Sequence, residues 1–192
     1  MKEIYPSVWV FEKAFANPSG IYESVEKFVD NNLSFSWKWA QTDKPDANDS
    51  LQDSMRTNQI FYVSANAAIQ EIKEIDTLIF NGTTDFIKQY SSHYLLGGLT
   101  DEGYAILKYE KGTMYKQHHD CGGSNKGRVV SMLVYLNDDF VGGELEFPHI
   151  GVKHKPSAGD IVLFPSNYTF SHIAHPVTEG TKYAVVSWLA YE

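Results

Sequence analysis

The sequence has little that would suit a secreted, membrane-spanning or nucleic-acid-binding protein. Cys121 is the single cysteine among 192 residues, so no disulfide can form within the chain, which fits a reducing compartment. The 16 Lys and Arg stand against 24 Asp and Glu, which argues against generic binding to a nucleic-acid backbone. No stretch approaches the roughly 20 apolar residues that a membrane helix needs, and the N-terminus lacks an apolar signal segment. We therefore expect a cytoplasmic protein that does not associate with membranes, and the sequence does not define its oligomeric state.

The composition is that of a folded globular protein. Hydrophobic residues make up 43% of the chain and aromatic residues 14%. A length of 192 residues suits one domain with a substantial core, and no shift in composition divides it. We expect a single domain over residues 1–192, with helical support in residues 1–100 and a strand-rich core in residues 101–192.

The first hundred residues alternate between helical and extended patterns. A helix should begin at Pro18, because the apolar residues that follow it recur at helical spacing. Residues 67–80 show a second helical pattern, Asn81-Gly82 resembles a helix stop, and Thr83 or Thr84 could cap a further helix. Short strands are predicted at 7–15, 35–41 and 59–64. The polar segment 42–53 reads as a loop, with a possible role as a lid.

From Gly103 onward the sequence reads as a series of short strands. Turns rich in Gly, Pro, Asn and Asp separate segments that are rich in β-branched and aromatic residues. These segments are 104–109, 129–136, 144–147, 160–164 and 182–191. Such spacing predicts an antiparallel barrel or jelly roll. The fold class is therefore α+β, mainly β, with the N-terminal helices packed on one sheet.

Three residues could form a metal site with open coordination positions. In a strand the side chains of His118 and Asp120 would project to the same side, whereas His119 would point away. A second histidine about fifty residues later, His172, would complete a set of two imidazoles and one carboxylate. Ligands of this kind occupy one face of a six-coordinate metal, as in non-haem Fe(II) oxygenases.

His172 must be distinguished from His175, which lies near the same predicted strand. Pro176 directly follows His175 and constrains its backbone, which favours a turn there. His172 stands ten residues before Lys182, and this pairing has a chemical meaning. A dicarboxylate that chelates a metal through one end needs a cation for its far carboxylate, which Lys182 could supply as a point charge. We therefore favour His172.

Several motifs occur together in the C-terminal half of the chain. They are Tyr109-Glu-Lys-Gly-Thr-Met-Tyr-Lys-Gln-His-His-Asp120, Tyr135-Leu-Asn137, Gly142-Gly-Glu-Leu-Glu-Phe147, Pro156-Ser-Ala-Gly-Asp-Ile-Val-Leu-Phe-Pro165 and His172-Ile-Ala-His-Pro-Val-Thr-Glu-Gly-Thr-Lys-Tyr183. In this order and spacing they resemble the Fe(II)- and 2-oxoglutarate-dependent dioxygenases, and within them the prolyl 4-hydroxylase-like branch. The resemblance implies a double-stranded β-helix, in agreement with the strand pattern, and makes residues 101–192 the catalytic core.

The resemblance also implies roles for individual residues. It makes His118, Asp120 and His172 the iron ligands and catalytic centre, and it places Lys182 on the distal carboxylate of 2-oxoglutarate. Further co-substrate-pocket positions are Tyr135, Tyr109, Tyr115 and Trp188, although for aromatic residues packing in the barrel core is an equally reasonable role. The segment Ser54-Met-Arg-Thr-Asn58 is similar to one that borders the peptide groove, which makes Arg56 a candidate substrate residue.

The implied activity is hydroxylation of a peptidyl proline, with formation of succinate and CO2. It requires Fe(II), 2-oxoglutarate as co-substrate and O2, and ascorbate is a further candidate cofactor. The implied partner is a protein or peptide substrate. The alternatives are a 2-oxoglutarate oxygenase for another residue or a small molecule, a cupin-like metalloenzyme that does not use 2-oxoglutarate, and a non-catalytic jelly-roll binding protein.

Overall fold

A computed structural model describes residues 1–41 and 55–191, and within these ranges two α-helices accompany a large set of short strands. Helix α1 spans Pro18–Asn31 and helix α2 spans Gln70–His93. Helix α1 begins where the sequence predicts, since a proline is well tolerated at the first helical position. Its buried face carries Ile21, Val25 and Phe28, which are spaced for one side of a helix.

Most strands are three to five residues long. In chain order they are β1 Lys2–Tyr5, β2 Val8–Phe11, β3 Lys38–Trp39, β4 Gln59–Tyr62, β5 Leu99–Asp101, β6 Ala105–Tyr109, β7 Tyr115–His118, β8 Arg128–Tyr135, β9 Val141–Gly142, β10 Leu145–Phe147, β11 Val152–His154, β12 Ile161–Pro165, β13 His172–Ala174, β14 Val177–Glu179 and β15 Lys182–Tyr191.

Within the described ranges these strands form one large sheet, one small sheet and a strand pair. The large sheet has the order β1-β2-β12-β8-β15-β6-β4-β3, and β5 pairs with the end of β15. The small sheet has the order β11-β10-β13-β7, and β14 pairs with β9. All of the pairings are antiparallel. This is the strand-rich architecture that the sequence predicts.

The large sheet is covered on its two faces by different layers. On one face, Ile72, Ile75 and Ile79 of α2 join the α1 residues in a core that includes Ile106 and Val185 of the sheet. On the other face, apolar side chains of β2, β8 and β12 meet those of β10 in the small sheet. The helices therefore pack on one face of the large sheet, as predicted, and the small sheet packs on the other face.

The predicted helix break at Asn81-Gly82 is wrong, because α2 continues through it to His93. Gly82 does not end the helix but allows another residue to pack closely against it. A Cβ at this position would lie 2.4 Å from Cε2 of Phe15, so the missing side chain lets that ring pack against the helix. Thr83 does not cap a new helix either: it is fully buried and its hydroxyl donates to the carbonyl of Ile79. Thr84 likewise donates to the carbonyl of Phe80, within the helix.

The predicted strands are present in the structure, but several begin or end at other residues than predicted. Segment 182–191 is β15 in full, whereas segment 35–41 contributes only Lys38–Trp39. The predicted loop 42–53 lies outside the described residues. None of the described helices is long and apolar enough to cross a membrane.

Candidate metal centre

His118 and His172 are brought close together by the pairing of two strands in the small sheet. His118 is the last residue of β7, His172 is the first of β13, and the two are register partners. Their ring centroids are 4.2 Å apart. Asp120 lies two residues beyond the end of β7, so the expectation that it sits within a strand is wrong, although its side chain still reaches the same place. Ligand atoms from all three residues lie within 4.8 Å of one another.

The hydrogen bonds of both histidines leave the same ring nitrogen available. His118 Nδ1 lies 2.8 Å from the carbonyl oxygen of Lys116, and His172 Nδ1 lies 3.1 Å from that of Phe170. A carbonyl oxygen only accepts, so each Nδ1 must carry a proton, and Nε2 is the nitrogen left to bind a metal ion. The two Nε2 atoms lie 3.6 Å and 3.8 Å from the carboxylate oxygens of Asp120. Two ring nitrogens and a carboxylate therefore lie close enough together to bind one ion.

The protonation states also suit a metal ion. Burial and the neighbouring His172 lower the pKa of His118 to about 3, while Asp120 opposes the shift, so the imidazole is neutral at physiological pH. Burial raises the pKa of the Asp120 carboxyl, but His172, His118, Ser131 and Trp188 outweigh it and keep the group ionised. Neutral imidazole and carboxylate are the forms that bind metals. Because two nitrogens and one carboxylate at these distances can share an ion, the residues fit the iron that the sequence implies.

The competing histidines point elsewhere. His175 Nε2 lies 2.5 Å from a carboxylate oxygen of Glu146. His119 is exposed, and its Nδ1 lies 2.6 Å from the carbonyl oxygen of Cys121. The geometry thus separates both residues from the three that converge.

A narrow inner chamber leads from the three residues into the space between the sheets. Tyr109, Tyr135 and Lys182 line it together with apolar side chains such as Leu145 and Ala184. Lys182 is 2% exposed, its Nζ donates to the carbonyl of Gly143 at 2.9 Å, and it lies 4.2 Å from the centroid of the Tyr109 ring. The chamber therefore combines a buried cation at one wall with the three convergent groups at another.

Lys182 lacks a carboxylate partner among the described residues. Its charged ammonium form is therefore disfavoured relative to the neutral amine. Burial, with a smaller effect of Lys155, lowers its pKa to about 7, and Glu144 opposes the shift. An ammonium group that is buried without a counter-ion is stabilised by an anion that enters beside it. The chamber thus favours a ligand that carries a negative charge at the end remote from His118 and His172.

The ring of Tyr115 lies between His118 and Arg56. It stacks on the ring of His118, with centroids 3.4 Å apart and planes 10° apart. The guanidinium carbon of Arg56 lies 4.7 Å from the centroid of the same tyrosine ring. Arg56 also donates from Nε to Asn58 and from Nη1 to the backbone of Gln41. Tyr115 and Arg56 therefore form part of the wall around His118.

A larger outer cleft of about 580 Å³ is also lined by His118 and Asp120. Its lining includes Arg56, Tyr115 and Trp188, which the sequence singled out. It also includes Arg128 and Glu102, which the sequence did not. Arg128 is paired with Glu102 at 2.7 Å, and its guanidinium carbon lies 3.6 Å from the centroid of the Trp188 ring. In the sequence, Arg128 could have been noticed as a cation at the start of an apolar strand, eight residues after Asp120.

The fold and the convergent residues define a double-stranded β-helix protein with a two-histidine, one-carboxylate centre. Comparison with known families agrees with this class, because residues 104–190 match the family model described as the 2OG-Fe(II) oxygenase superfamily. The match covers somewhat less than half of the chain, so it shows a similarity between the C-terminal part of the chain and this superfamily. The superfamily implies Fe(II), 2-oxoglutarate and O2 as the reacting cofactors.

Curated relatives that match the chain are named as prolyl 4-hydroxylases. The chain is 31% identical to a probable prolyl 4-hydroxylase 9 of Arabidopsis thaliana, over 56% of this chain and 48% of the relative. It is 32% identical to a putative prolyl 4-hydroxylase of Acanthamoeba polyphaga mimivirus, over 45% and 44% respectively. The chain thus spans less than half the length of these relatives.

Among solved structures, a prolyl hydroxylase of Trichoplax adhaerens in complex with a hypoxia inducible factor peptide fragment has a similar fold. It superposes with a TM-score of 0.75 at 19% identity, and the match covers 96% of this chain and 83% of that one. A prolyl-4-hydroxylase of Pseudomonas putida gives a TM-score of 0.65 at 19% identity, with 97% and 93% covered. At this identity the two structures establish the fold.

Proposed function

We propose that the protein is an Fe(II)- and 2-oxoglutarate-dependent hydroxylase that acts on a prolyl residue of a peptide or protein. The observation that carries the proposal is the convergence of His118, Asp120 and His172 at the mouth of a chamber that holds the buried Lys182. A structural metal site would not need a cation without a counter-ion beside it. The match of residues 104–190 to the 2OG-Fe(II) oxygenase family model supports the same interpretation.

Each residue of the chamber has a proposed role. His118, Asp120 and His172 hold the ion through Nε2 and carboxylate oxygens. Bound iron would supply the open coordination positions at which 2-oxoglutarate and O2 react. Lys182 binds the distal carboxylate of 2-oxoglutarate, so its role is orientation of the co-substrate rather than proton transfer. The reaction places one oxygen atom of O2 in succinate and the other in the hydroxylated product, with release of CO2.

The aromatic residues complete the co-substrate pocket. Tyr135 and Tyr109 are buried, and burial raises the pKa of each phenol, so both hydroxyls keep their protons and can donate to a carboxylate. Tyr115 and Trp188 stand where the inner chamber meets the outer cleft. Side chains that enclose the co-substrate also exclude water, which strengthens every electrostatic contact within the site.

The outer cleft is the proposed binding site for the peptide. Its volume of about 580 Å³ leaves room for part of a peptide, and His118 and Asp120 are among its lining residues. Arg56 is the proposed substrate residue, since its guanidinium lies along the cleft wall and, among the described residues, has no carboxylate partner. The Trichoplax adhaerens structure carries a peptide fragment, which supports a peptide as the substrate class.

We also propose a single domain over residues 1–192, with residues 101–192 as the catalytic core and residues 1–100 as support and substrate side. Strands β2 and β4, from the first part, pair directly with β12 and β6 from the second, which supports one shared unit. The cytoplasmic location stays a prediction, which the single cysteine supports.

Formation of succinate separates this proposal from its rivals. Purified protein is incubated with Fe(II), 2-oxoglutarate, ascorbate and proline-containing peptides, and succinate is measured with and without each component. Turnover that needs iron and rises with peptide is expected. Turnover indifferent to every peptide would indicate a small-molecule substrate, and absence of iron-dependent turnover would favour a binding protein or a metalloenzyme that does not use 2-oxoglutarate.

A further inference from the structure

Two buried serines hold the Asp120 carboxylate, and the proposed reaction assigns neither of them a role. Ser131 Oγ donates to Asp120 Oδ2 at 2.6 Å, and Ser131 Oγ lies 2.9 Å from Ser166 Oγ. Both serines are only 1% exposed. Ser131 lies in β8, and Ser166 directly follows β12, its neighbour in the large sheet.

The direction of the two hydrogen bonds follows from the protons that are available. Ser131 Oγ donates to Asp120 Oδ2, so the single hydroxyl proton of Ser131 is committed to the carboxylate. Ser166 must then donate its own proton to Ser131. The two hydroxyls form a chain that ends on the carboxylate, and such a chain polarises each bond in the same direction.

The serines also connect the site to the large sheet. His118 and His172 belong to the small sheet, whereas Asp120 lies beyond the end of its strand. The backbone N–H groups of Asp120 and Cys121 both donate to the carbonyl oxygen of Ser166, at 3.0 Å and 2.9 Å. Both the main chain and the side chain of Asp120 are therefore held by the large sheet, across the gap between the sheets.

We propose that Ser131 and Ser166 are positioning residues that fix the Asp120 carboxylate in its metal-binding orientation. Ser131 acts directly on Oδ2, and Ser166 acts through Ser131 and through its carbonyl oxygen. Without the Ser131 hydroxyl the carboxylate can rotate away from the two histidines. The inference depends on the proposed function only in that the three residues bind a divalent metal.

The test is Co(II) binding by the intact protein, followed by titration and by the ligand-field absorption spectrum. Ser131→Ala should weaken Co(II) binding by about 10- to 100-fold, the usual effect of removing a partner of a ligand, and should alter the spectrum. Ser131→Thr keeps a hydroxyl and should restore most of the affinity. Ser166→Ala should cause a smaller loss, because its carbonyl contacts remain.

Ser187→Ala is the matched control. Ser187 lies in β15 of the same sheet, is fully buried, and its hydroxyl has no hydrogen-bond partner among the described residues. Its removal should leave both affinity and spectrum unchanged. Thermal unfolding of the metal-free variants identifies any that fail to fold, in which case Ser166→Ala carries the test.

Two failures are distinguishable. If the wild-type protein did not bind Co(II), or bound it equally well after His172→Ala, the metal centre itself would be refuted. If the wild type bound Co(II) through His172 but folded Ser131→Ala and Ser166→Ala variants bound it with unchanged affinity and spectrum, the positioning role would be overturned while the metal centre stood.

Discussion

His118 and His172 are register partners across β7 and β13, and their Nδ1 atoms both donate to backbone carbonyls two residues earlier in the chain. The strand pairing sets the distance between the rings, and the backbone contacts set which nitrogen faces inward. The two imidazoles are thus oriented before any ion binds, and the first prediction tests this arrangement.

His172→Ala should abolish 2-oxoglutarate turnover, because it removes one of the three groups that converge on the metal. His175→Ala is the control, since His175 contacts Glu146 instead and should retain most activity. Succinate formation measures both. Equal losses in the two variants would leave the ligand unassigned, and loss in His175→Ala alone would show that the choice between the histidines is wrong.

Lys182→Ala should weaken 2-oxoglutarate binding and have a smaller effect on the rate at saturation. A hydrogen bond to a charged group contributes about 1.5–3 kcal/mol, so we expect a rise in the KM for 2-oxoglutarate of roughly 10- to 100-fold. Steady-state kinetics with varied co-substrate give the value. An unchanged KM would remove Lys182 from the co-substrate site.

The affinity for 2-oxoglutarate should fall as pH rises above about 7. The pKa of Lys182 lies near 7 in the ligand-free protein, chiefly because of burial, and the bound dicarboxylate favours the ammonium form and raises that pKa. Binding above pH 7 therefore takes up a proton, and Kd should increase up to about tenfold per pH unit. Calorimetry in buffers of different ionisation enthalpy measures the uptake. In Lys182→Met the dependence should disappear, and its persistence there would contradict the assignment to Lys182.

Gly143→Ala should reduce 2-oxoglutarate affinity, because the added Cβ would lie 2.9 Å from the Phe140 ring and 3.2 Å from Cδ of Lys182. Gly151→Ala is a close control: both glycines have φ of 66°, but nothing lies within 4 Å of a Cβ at position 151. The two variants share the backbone strain and differ in the contacts with Phe140 and Lys182. Similar KM values for 2-oxoglutarate in both would show that the packing around Lys182 does not matter.

The strands and site residues that could be predicted from the sequence are those marked by a short hydrophobic period or by a local motif. The strand alternation placed β15 in full, and the spacing of His118, Asp120, His172 and Lys182 selected residues that the fold brings together. Predictions from local motifs are wrong where tertiary packing determines the structure. Asn81-Gly82 resembles a helix stop, yet contact with the Phe15 ring keeps the glycine inside α2.

Other features could not be predicted because they join residues that are distant along the chain. Ser131 and Ser166 meet only through the pairing of β8 with β12. Arg128 becomes a cleft residue because Glu102 and Trp188 hold its guanidinium in place. No short motif marks these positions, since each is defined by sheet register rather than by its neighbours in sequence.

The central claim is that the protein hydroxylates a peptidyl proline, and mass spectrometry of a peptide library tests it most directly. Proline-containing peptides are incubated with wild-type protein, Fe(II), 2-oxoglutarate and ascorbate, and His172→Ala is run in parallel. We predict a mass gain of one oxygen atom, located on proline by fragmentation, in the wild-type reaction alone. Iron-dependent succinate formation with no oxygen gain on any proline, or a gain that persists with His172→Ala, would contradict the claim.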